Sequence, residues 1–203
     1  MLGWGSLIWQ PANCHGELKV EAPWHEDGPD LPVEFARISS DGRLTLVLLP
    51  GHPHALPVLW ARSCFGDALE AAANLAERET GAPLRTIHGV CANGRTLGAP
   101  EAGIVTTVRA WMAQRPLDAV IWTGLTPGSR WTELGWAGFT PDAAVAYVSG
   151  LRGGTRRRAE DYLRRAPAQI DTPLRGRLLA ALEDDPREGS RGPRADRPSN
   201  GPH

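Results

Sequence analysis

Cysteine, lysine and long hydrophobic runs are all scarce in this sequence. Its 203 residues include three cysteines, Cys14, Cys64 and Cys91, which are too few and too scattered for the disulfide framework of a small secreted protein. No apolar run approaches the roughly 18 residues that a membrane-spanning helix needs. Residues 1–5 also lack the basic start and apolar stretch of a secretory signal. These absences predict a cytoplasmic protein that does not contact a membrane.

An excess of one charge is also missing, because the formal net charge is −1. This sum hides an asymmetry. Residues 151–203 contain 12 arginines and 8 acidic residues, whereas residues 1–150 contain 10 basic and 15 acidic residues. A strong general attraction to nucleic acid is therefore not expected. The hydrophobic share of 41% is enough for an ordinary core, so the chain should fold rather than stay disordered throughout.

The length of the chain fits one domain, since domains have about 100–200 residues. We predict a single α+β domain over residues 1–183 and a disordered tail over residues 184–203, where almost nothing is apolar. Alternating and apolar runs predict strands at 33–38, 43–49, 56–61 and 118–123. Helical spacing and capping residues predict helices at 67–80, with Gly81 as its C-cap, and at 101–114, 141–150, 156–165 and 173–183. The last three helices would form a C-terminal appendage over about 141–183.

The helix predicted at 67–80 directs one carboxylate toward the interior. At about 100° per residue, Glu79 falls in the middle of the apolar arc. The other carboxylates fall on the polar face, together with Asn74 and Arg78; they are Glu70 and Glu77. A buried carboxyl can act as a general base because burial raises its pKa. Two structural alternatives remain open: the helix end frays and Glu79 reaches solvent, or Glu79 forms a buried ion pair with an arginine.

A glycine-containing loop opens the chain as Gly3-Trp4-Gly5-Ser6-Leu7. Glycine lets the backbone approach a ligand closely, and the N–H groups of such a loop can bind a carboxylate or an oxyanion. The spacing is neither the G-x-S-x-G elbow of serine hydrolases nor the G-x-G-x-x-G of dinucleotide-binding proteins. A tight transition from strand to loop is the structural alternative.

The loop and the helix together resemble the γ-glutamylcyclotransferase-like family, which includes glutathione-specific and γ-glutamylamine cyclotransferases. Gly5-Ser6-Leu7 looks like the end of the family's Tyr-Gly-Ser-Leu loop, with Trp4 at the tyrosine position, and Gly5-Ser6-Leu7-Ile8-Trp9 is similar to the bacterial glutathione-degrading branch. Leu75-Ala76-Glu77-Arg78-Glu79 resembles the family helix that carries a catalytic glutamate. The resemblance covers about residues 1–80.

The resemblance implies a fold, a reaction and a set of site residues. The fold would be a small mixed sheet or partly closed β-barrel surrounded by helices. The enzyme would cyclise a γ-glutamyl amide or peptide to 5-oxoproline and release the amine, with a small-molecule substrate and no metal or organic cofactor. Glu79 would be the catalytic acid and base, and the substrate would be bound by Trp4, Gly5, Ser6 and Leu7.

Two other interpretations remain open. The first is a catalytically silent binding module that uses the same pocket. The second is an adaptor that contacts nucleic acid or an acidic partner through the arginine-rich segment 152–165, which begins at Arg152 and ends at Arg165. A metal site is not expected, since the pairs His52/His54 and Cys14/His15 lack the spacing of known ligand motifs.

Overall fold

A computed structural model of the chain describes residues 1–13, 16–79 and 83–183. The strands are β1 (Leu2–Gly3), β2 (Ala12–Asn13), β3 (Gly16–Glu17), β4 (Asp30–Leu31), β5 (Val33–Ile38), β6 (Leu44–Leu48), β7 (Leu56–Pro57), β8 (Leu59–Trp60), β9 (Ile87–Cys91), β10 (Thr96–Leu97) and β11 (Ala119–Thr123). The α-helices are α1 (Ala68–Arg78), α2 (Ala102–Met112), α3 (Arg130–Glu133), α4 (Pro141–Gly150), α5 (Gly153–Arg165) and α6 (Pro173–Glu183). The predicted α+β class is confirmed.

Some predictions concern residues that lie outside the described ranges. These are the tail over 184–203, the helix C-cap at Gly81, and the pair Cys14/His15. Among the described helices, none combines the length and the hydrophobicity that crossing a bilayer requires.

The strands form small open sheets in which every described pairing is antiparallel. The sheet orders are β10-β9-β11, β5-β6, β1-β8, β2-β3 and β4-β7. The expected mixed, partly closed sheet is therefore not what these ladders show. Short connections explain why the pairings are antiparallel, because a strand that follows another after only a few residues, as β6 follows β5, cannot make the long crossover that a parallel pair needs.

The hairpin of β5 and β6 contains a β-bulge. Phe35 lies opposite Leu46, and Arg37 lies opposite Thr45, so that Ala36 has no partner of its own in the register. Leu46 and Thr45 are neighbours in β6, so their side chains point to opposite faces of the hairpin. Their partners, Phe35 and Arg37, must therefore also point to opposite faces. The bulge therefore turns Arg37 away from the face on which Phe35 is buried.

Two aromatic side chains from the C-terminal half pair with backbone groups at this bulge. The indole N–H of Trp131 in α3 donates to the carbonyl oxygen of Ala36 at 2.8 Å. The backbone N–H of Leu46 donates to the hydroxyl oxygen of Tyr162 in α5 at 3.2 Å. These bonds matter because a buried backbone group left without a partner is costly.

Three of the helices, α1, α4 and α6, begin where their capping residues predict. The Asp67 side chain accepts the backbone N–H groups of Leu69 and Glu70 at the start of α1. Thr140 accepts the N–H of Ala143 before α4, whose first residue is a proline. Thr172 accepts the N–H of Arg175 at 3.2 Å at the start of α6. Each side chain satisfies a donor that the first helical turn leaves unpaired.

The buried apolar residues form two clusters. The larger one joins the β5–β6 hairpin to α4, α5 and α6, with Phe35, Val148, Leu163 and Leu178 among its members. The smaller one packs α1 against β9, β11 and the N-terminal loop; its members include Leu7, Leu75, Ile87 and Ile121. The apolar face of α1 thus lies against the strands, which brings the end of this helix close to the loop.

Two of the predicted elements differ from the structure for clear local reasons. The strand predicted at 56–61 is divided into β7 and β8, which pair with β4 and β1 respectively. Pro57 lies at the division and has no N–H to donate to a ladder. Helix α5 begins at Gly153 rather than at residue 156, and Gly153 has a φ of +55°, a conformation that glycine adopts readily.

Candidate functional site

The N-terminal loop, the end of α1, the β5–β6 hairpin and α5 enclose a cavity of about 460 Å³. All five residues predicted for the site line it, namely Trp4, Gly5, Ser6, Leu7 and Glu79. The structure therefore brings together two segments that are far apart in the sequence.

The loop turns tightly on itself and leaves backbone donors at the cavity. The carbonyl oxygens of Gly5 and Ser6 accept the N–H groups of Ile8 and Gln10, at 3.1 and 2.8 Å. Within the described residues, the N–H groups of Gly5 and Leu7 take part in no hydrogen bond. Such N–H groups can bind a carboxylate or a developing oxyanion.

Tyr162 explains why the loop has a glycine at position 5. A Cβ atom placed on Gly5 would lie 2.5 Å from the Tyr162 hydroxyl oxygen, so only a residue without a side chain fits. The Tyr162 ring is buried, and burial raises the pKa of its hydroxyl, while contacts with the backbone of Leu46 and Ser6 oppose that rise. Tyr162 therefore keeps its proton at the cavity wall, beside the loop and within the field of Glu79.

Glu79 is the C-cap of α1, immediately after the last helical residue. Its backbone N–H donates to the carbonyl oxygen of Leu75, and its side chain is 20% exposed. Burial raises the pKa of the Glu79 carboxyl, and the charges of Arg78, Arg37 and Arg43 offset part of that rise. The helix does end at Glu79, but the carboxylate faces the cavity rather than open solvent.

Arg78 does not lie on the water-facing side of α1, where the helical wheel predicts it. Its side chain is 4% exposed. Its Nε donates to the carbonyl oxygen of Pro11 at 3.1 Å, and its Nη2 donates to that of Gln10. Its Nη1 lies 3.9 Å from a carboxylate oxygen of Glu79. The prediction was wrong because carbonyl groups of the N-terminal segment bind this guanidinium and so allow its burial. The contact with Glu79 is the ion pair with an arginine that the sequence left open as a structural alternative.

The cavity wall also includes residues that the sequence did not predict for the site, among them Arg37, Arg43 and Tyr162. Tyr162 lies in the arginine-rich segment 152–165, for which the sequence suggested only a contact with nucleic acid or an acidic partner. A usable signal was present in the sequence, because Tyr162 shares helical spacing with the apolar residues Ala159, Leu163 and Ala166. A tyrosine on the apolar face of such a helix must enter the core.

No group of three or more histidine, cysteine, aspartate or glutamate side chains in the described ranges could hold a metal ion. His52 lies 4.0 Å from the buried Glu34 carboxylate, and that carboxylate accepts the hydroxyl of Thr172 at 2.7 Å. This group connects β5 to α6 and stands apart from the cavity.

The arginine-rich segment 152–165 contacts many groups of its own chain. Arg164 and Arg165 pair with Glu160 and Asp161 one helical turn earlier. Arg158 lies 3.6 Å from Asp41. These contacts reduce the positive charge that the segment offers to a polyanion, so they favour the cavity over this segment as the functional feature.

Comparison of the chain with models of known protein families, with curated proteins and with solved structures found no match. The family resemblance of residues 1–80 therefore stays a prediction. The functional proposal depends on the cavity and on the residues that line it.

Proposed function

We propose that this protein is a γ-glutamylcyclotransferase-like enzyme that converts a γ-glutamyl amide or peptide to 5-oxoproline and an amine. One observation carries the proposal: Glu79 and the Gly5-Ser6-Leu7 loop line the same cavity. A base and a set of oxyanion-binding N–H groups are the two parts that this reaction needs.

The reaction closes a five-membered ring on the substrate itself. The substrate's α-amine loses a proton to the Glu79 carboxylate, and its nitrogen forms a bond to the γ-carbonyl carbon. The negative charge moves to the carbonyl oxygen, where the Gly5 and Leu7 N–H groups can stabilise it. The bond from this carbon to the amide nitrogen then breaks, and Glu79 returns its proton to the departing nitrogen. Atoms and charge balance without any further reactant.

The surroundings of Glu79 suit this exchange of a proton. Burial raises the pKa of its carboxyl toward that of the groups it must deprotonate and protonate, and the neighbouring arginines keep an ionised fraction available. Arg78 binds the Gln10 and Pro11 carbonyls and lies 3.9 Å from the Glu79 carboxylate, where its charge favours the ionised form. Tyr162 supports the loop from behind through its hydroxyl.

Measurement of 5-oxoproline release tests the proposal. The substrates are glutathione, γ-glutamyl dipeptides and γ-glutamylamines, and the proteins are wild type, Glu79→Gln and Glu70→Gln. Glu70 is an exposed carboxylate of the same helix and serves as the matched control. Since one acid–base group contributes about 10²- to 10⁴-fold, release should fall by that factor in Glu79→Gln alone.

The other outcomes separate the remaining interpretations. Release that survives Glu79→Gln would retain the reaction but assign another base. No release from any substrate by the folded wild-type protein would reject the enzyme and favour a binding module that uses this cavity.

A further inference from the structure

The β5–β6 hairpin places two arginines on the cavity wall. Arg37 and Thr45 are direct cross-strand partners and so share one face of the hairpin. Arg43 comes two residues before Thr45 and lies on that same face. Arg37 and Arg43 are thus diagonal neighbours, about 7–8 Å apart at their backbones, within reach of a common ligand. Both line the cavity together with Thr45.

The bulge at Ala36 creates this arrangement. In a regular strand, Arg37 would share a face with Phe35, which is fully buried. The extra residue instead turns Arg37 to the cavity, where its Nη1 donates to the carbonyl oxygen of Thr126 at 2.8 Å. That bond uses one of five guanidinium donors and holds the side chain in place.

The charge of the cavity wall is strongly positive. Its charged residues are Arg37, Arg43 and Arg78 against the single carboxylate of Glu79. Arg78 donates to loop carbonyls. Arg43 is paired with Asp41 at 2.8 Å, but Asp41 also lies 3.6 Å from Arg158, so its charge is shared between the two arginines. Within the described residues, no acidic side chain forms an ion pair with Arg37.

An anion is the ligand that two such arginines recognise. A guanidinium presents N–H donors in a planar fork that matches a carboxylate, and hydrogen bonds between charged groups are about twice as strong as those between neutral groups. In the proposed reaction Glu79 serves the α-amine and the loop N–H groups serve the γ-carbonyl oxygen, so the carboxylates of the substrate remain for the arginines. A γ-glutamyl amino acid or peptide has two such carboxylates, one on the γ-glutamyl group and one on the departing part, whereas a γ-glutamylamine has only the first.

We propose that Arg37 and Arg43 form a subsite for a carboxylate on the departing part of the substrate. The protein would then prefer γ-glutamyl amino acids or peptides over γ-glutamylamines, whose departing part has no anion. This inference rests on the proposed cyclotransferase function and specifies its substrate class.

A pair of substrates that differ only in this carboxylate tests the subsite. γ-Glutamylalanine and γ-glutamylalaninamide are compared by kcat/KM for 5-oxoproline release. We expect the wild type to prefer the acid by roughly 10- to 100-fold. Arg37→Gln and Arg43→Gln should each remove most of that preference by raising KM for the acid. Their effect on the ionisation of Glu79 is common to both substrates and cancels in the ratio of the two kcat/KM values.

Arg109→Gln is the matched control. Arg109 also donates to a backbone carbonyl, that of Gly94 at 2.7 Å, but it lies on α2 and does not line the cavity. Its substitution should leave the preference for the acid intact. If Arg109→Gln reduced the preference as much as Arg37→Gln does, general loss of positive charge would explain the effect and the subsite would be rejected.

Binding measurements separate failure of the subsite from failure of the enzyme. Calorimetric titration of Glu79→Gln with γ-glutamylalanine and with γ-glutamylalaninamide gives the dissociation constant of each compound. Equal release from acid and amide by the wild type would keep the reaction and overturn the subsite. No release, but tighter binding of the acid that depends on Arg37, would reject the reaction and support the carboxylate site. No release and no binding would overturn both.

Discussion

The substitution Gly5→Ala gives a sharp test of how the loop and α5 fit together. The φ of Gly5 is not among the positive values that favour glycine, so alanine can adopt this backbone conformation. The obstacle is one atom, the Tyr162 hydroxyl oxygen, which would lie 2.5 Å from the new Cβ. The next atom, Cζ of the same ring, would lie at an ordinary contact distance of 3.6 Å.

The expected destabilisation follows from this single contact. The Tyr162 side chain is 4% exposed and lies against Phe35, Trp9 and Arg43, so it cannot move aside freely. Overpacking of this kind costs about 1–3 kcal/mol of unfolding free energy. Tyr162→Phe alone should cost a similar amount, about 1–3 kcal/mol, because the Leu46 N–H loses its acceptor.

The double variant reverses the sign of the alanine effect. Once Tyr162→Phe has removed the hydroxyl oxygen, Gly5→Ala no longer meets an atom closer than 3.6 Å. Alanine also restricts the unfolded chain, which stabilises the fold by about 0.4–1 kcal/mol. Gly5→Ala should therefore be neutral or slightly stabilising in the Tyr162→Phe background, although it is destabilising in the wild type.

Urea unfolding of the four proteins measures this double-mutant cycle. The coupling free energy should be about 1–3 kcal/mol, the cost of the clash alone, because the alanine gain in the unfolded chain is the same in both backgrounds and cancels. If Gly5→Ala destabilises both backgrounds equally, the hydroxyl is not the obstacle and the placement of α5 behind the loop is wrong. Wild-type stability for Gly5→Ala alone would refute the close approach in the same way.

Three further substitutions test other contacts. Burial raises the pKa of Glu79 above its ordinary value of 4.5, so ionisation there opposes folding. The free energy of unfolding is measured by urea at several pH values. Glu79→Gln should match the wild type at low pH, where Glu79 is protonated, and should become more stable than the wild type as the pH rises above 4.5. Greater stability of the wild type near neutral pH would contradict this. Thr172→Val should cost about 1–3 kcal/mol, because it removes the α6 cap and the bond to Glu34, whereas Thr172→Ser should retain both in the same urea assay. Trp131→Phe should cost a similar amount, about 1–3 kcal/mol, because the Ala36 carbonyl loses its donor; an unchanged urea midpoint would show that water replaces the indole.

The sequence predicted the starts of α1, α4 and α6 and the β5–β6 hairpin well, because they depend on residues that are close together in the chain. Asp67 and Thr140 begin helices because their side chains accept N–H groups a few residues later, and that pattern is visible in the sequence. Helices α4 and α6 have the predicted bounds, and the β5–β6 hairpin lies within about one residue of its predicted strands.

The cavity could be predicted only in part. Helical periodicity placed Glu79 on the apolar side, and the structure confirms that it faces inward. Arg78 was missed because its partners are carbonyl groups of Gln10 and Pro11, which leave no trace in residue type. Arg37 was missed because a bulge changes the alternation of side chains, although the consecutive apolar residues Phe35 and Ala36 mark the break in the pattern.

Hydrogen bonds at the bulge link the hairpin to the C-terminal helices. A single N–H, that of Leu46, reports on both, because its acceptor Tyr162 comes from a helix that lies far along the chain. Native-state hydrogen exchange at this amide should therefore require separation of α5 from β6 rather than fraying of the hairpin. The residues that the sequence suggests as an appendage would then set the rate at which the wall of the cavity opens.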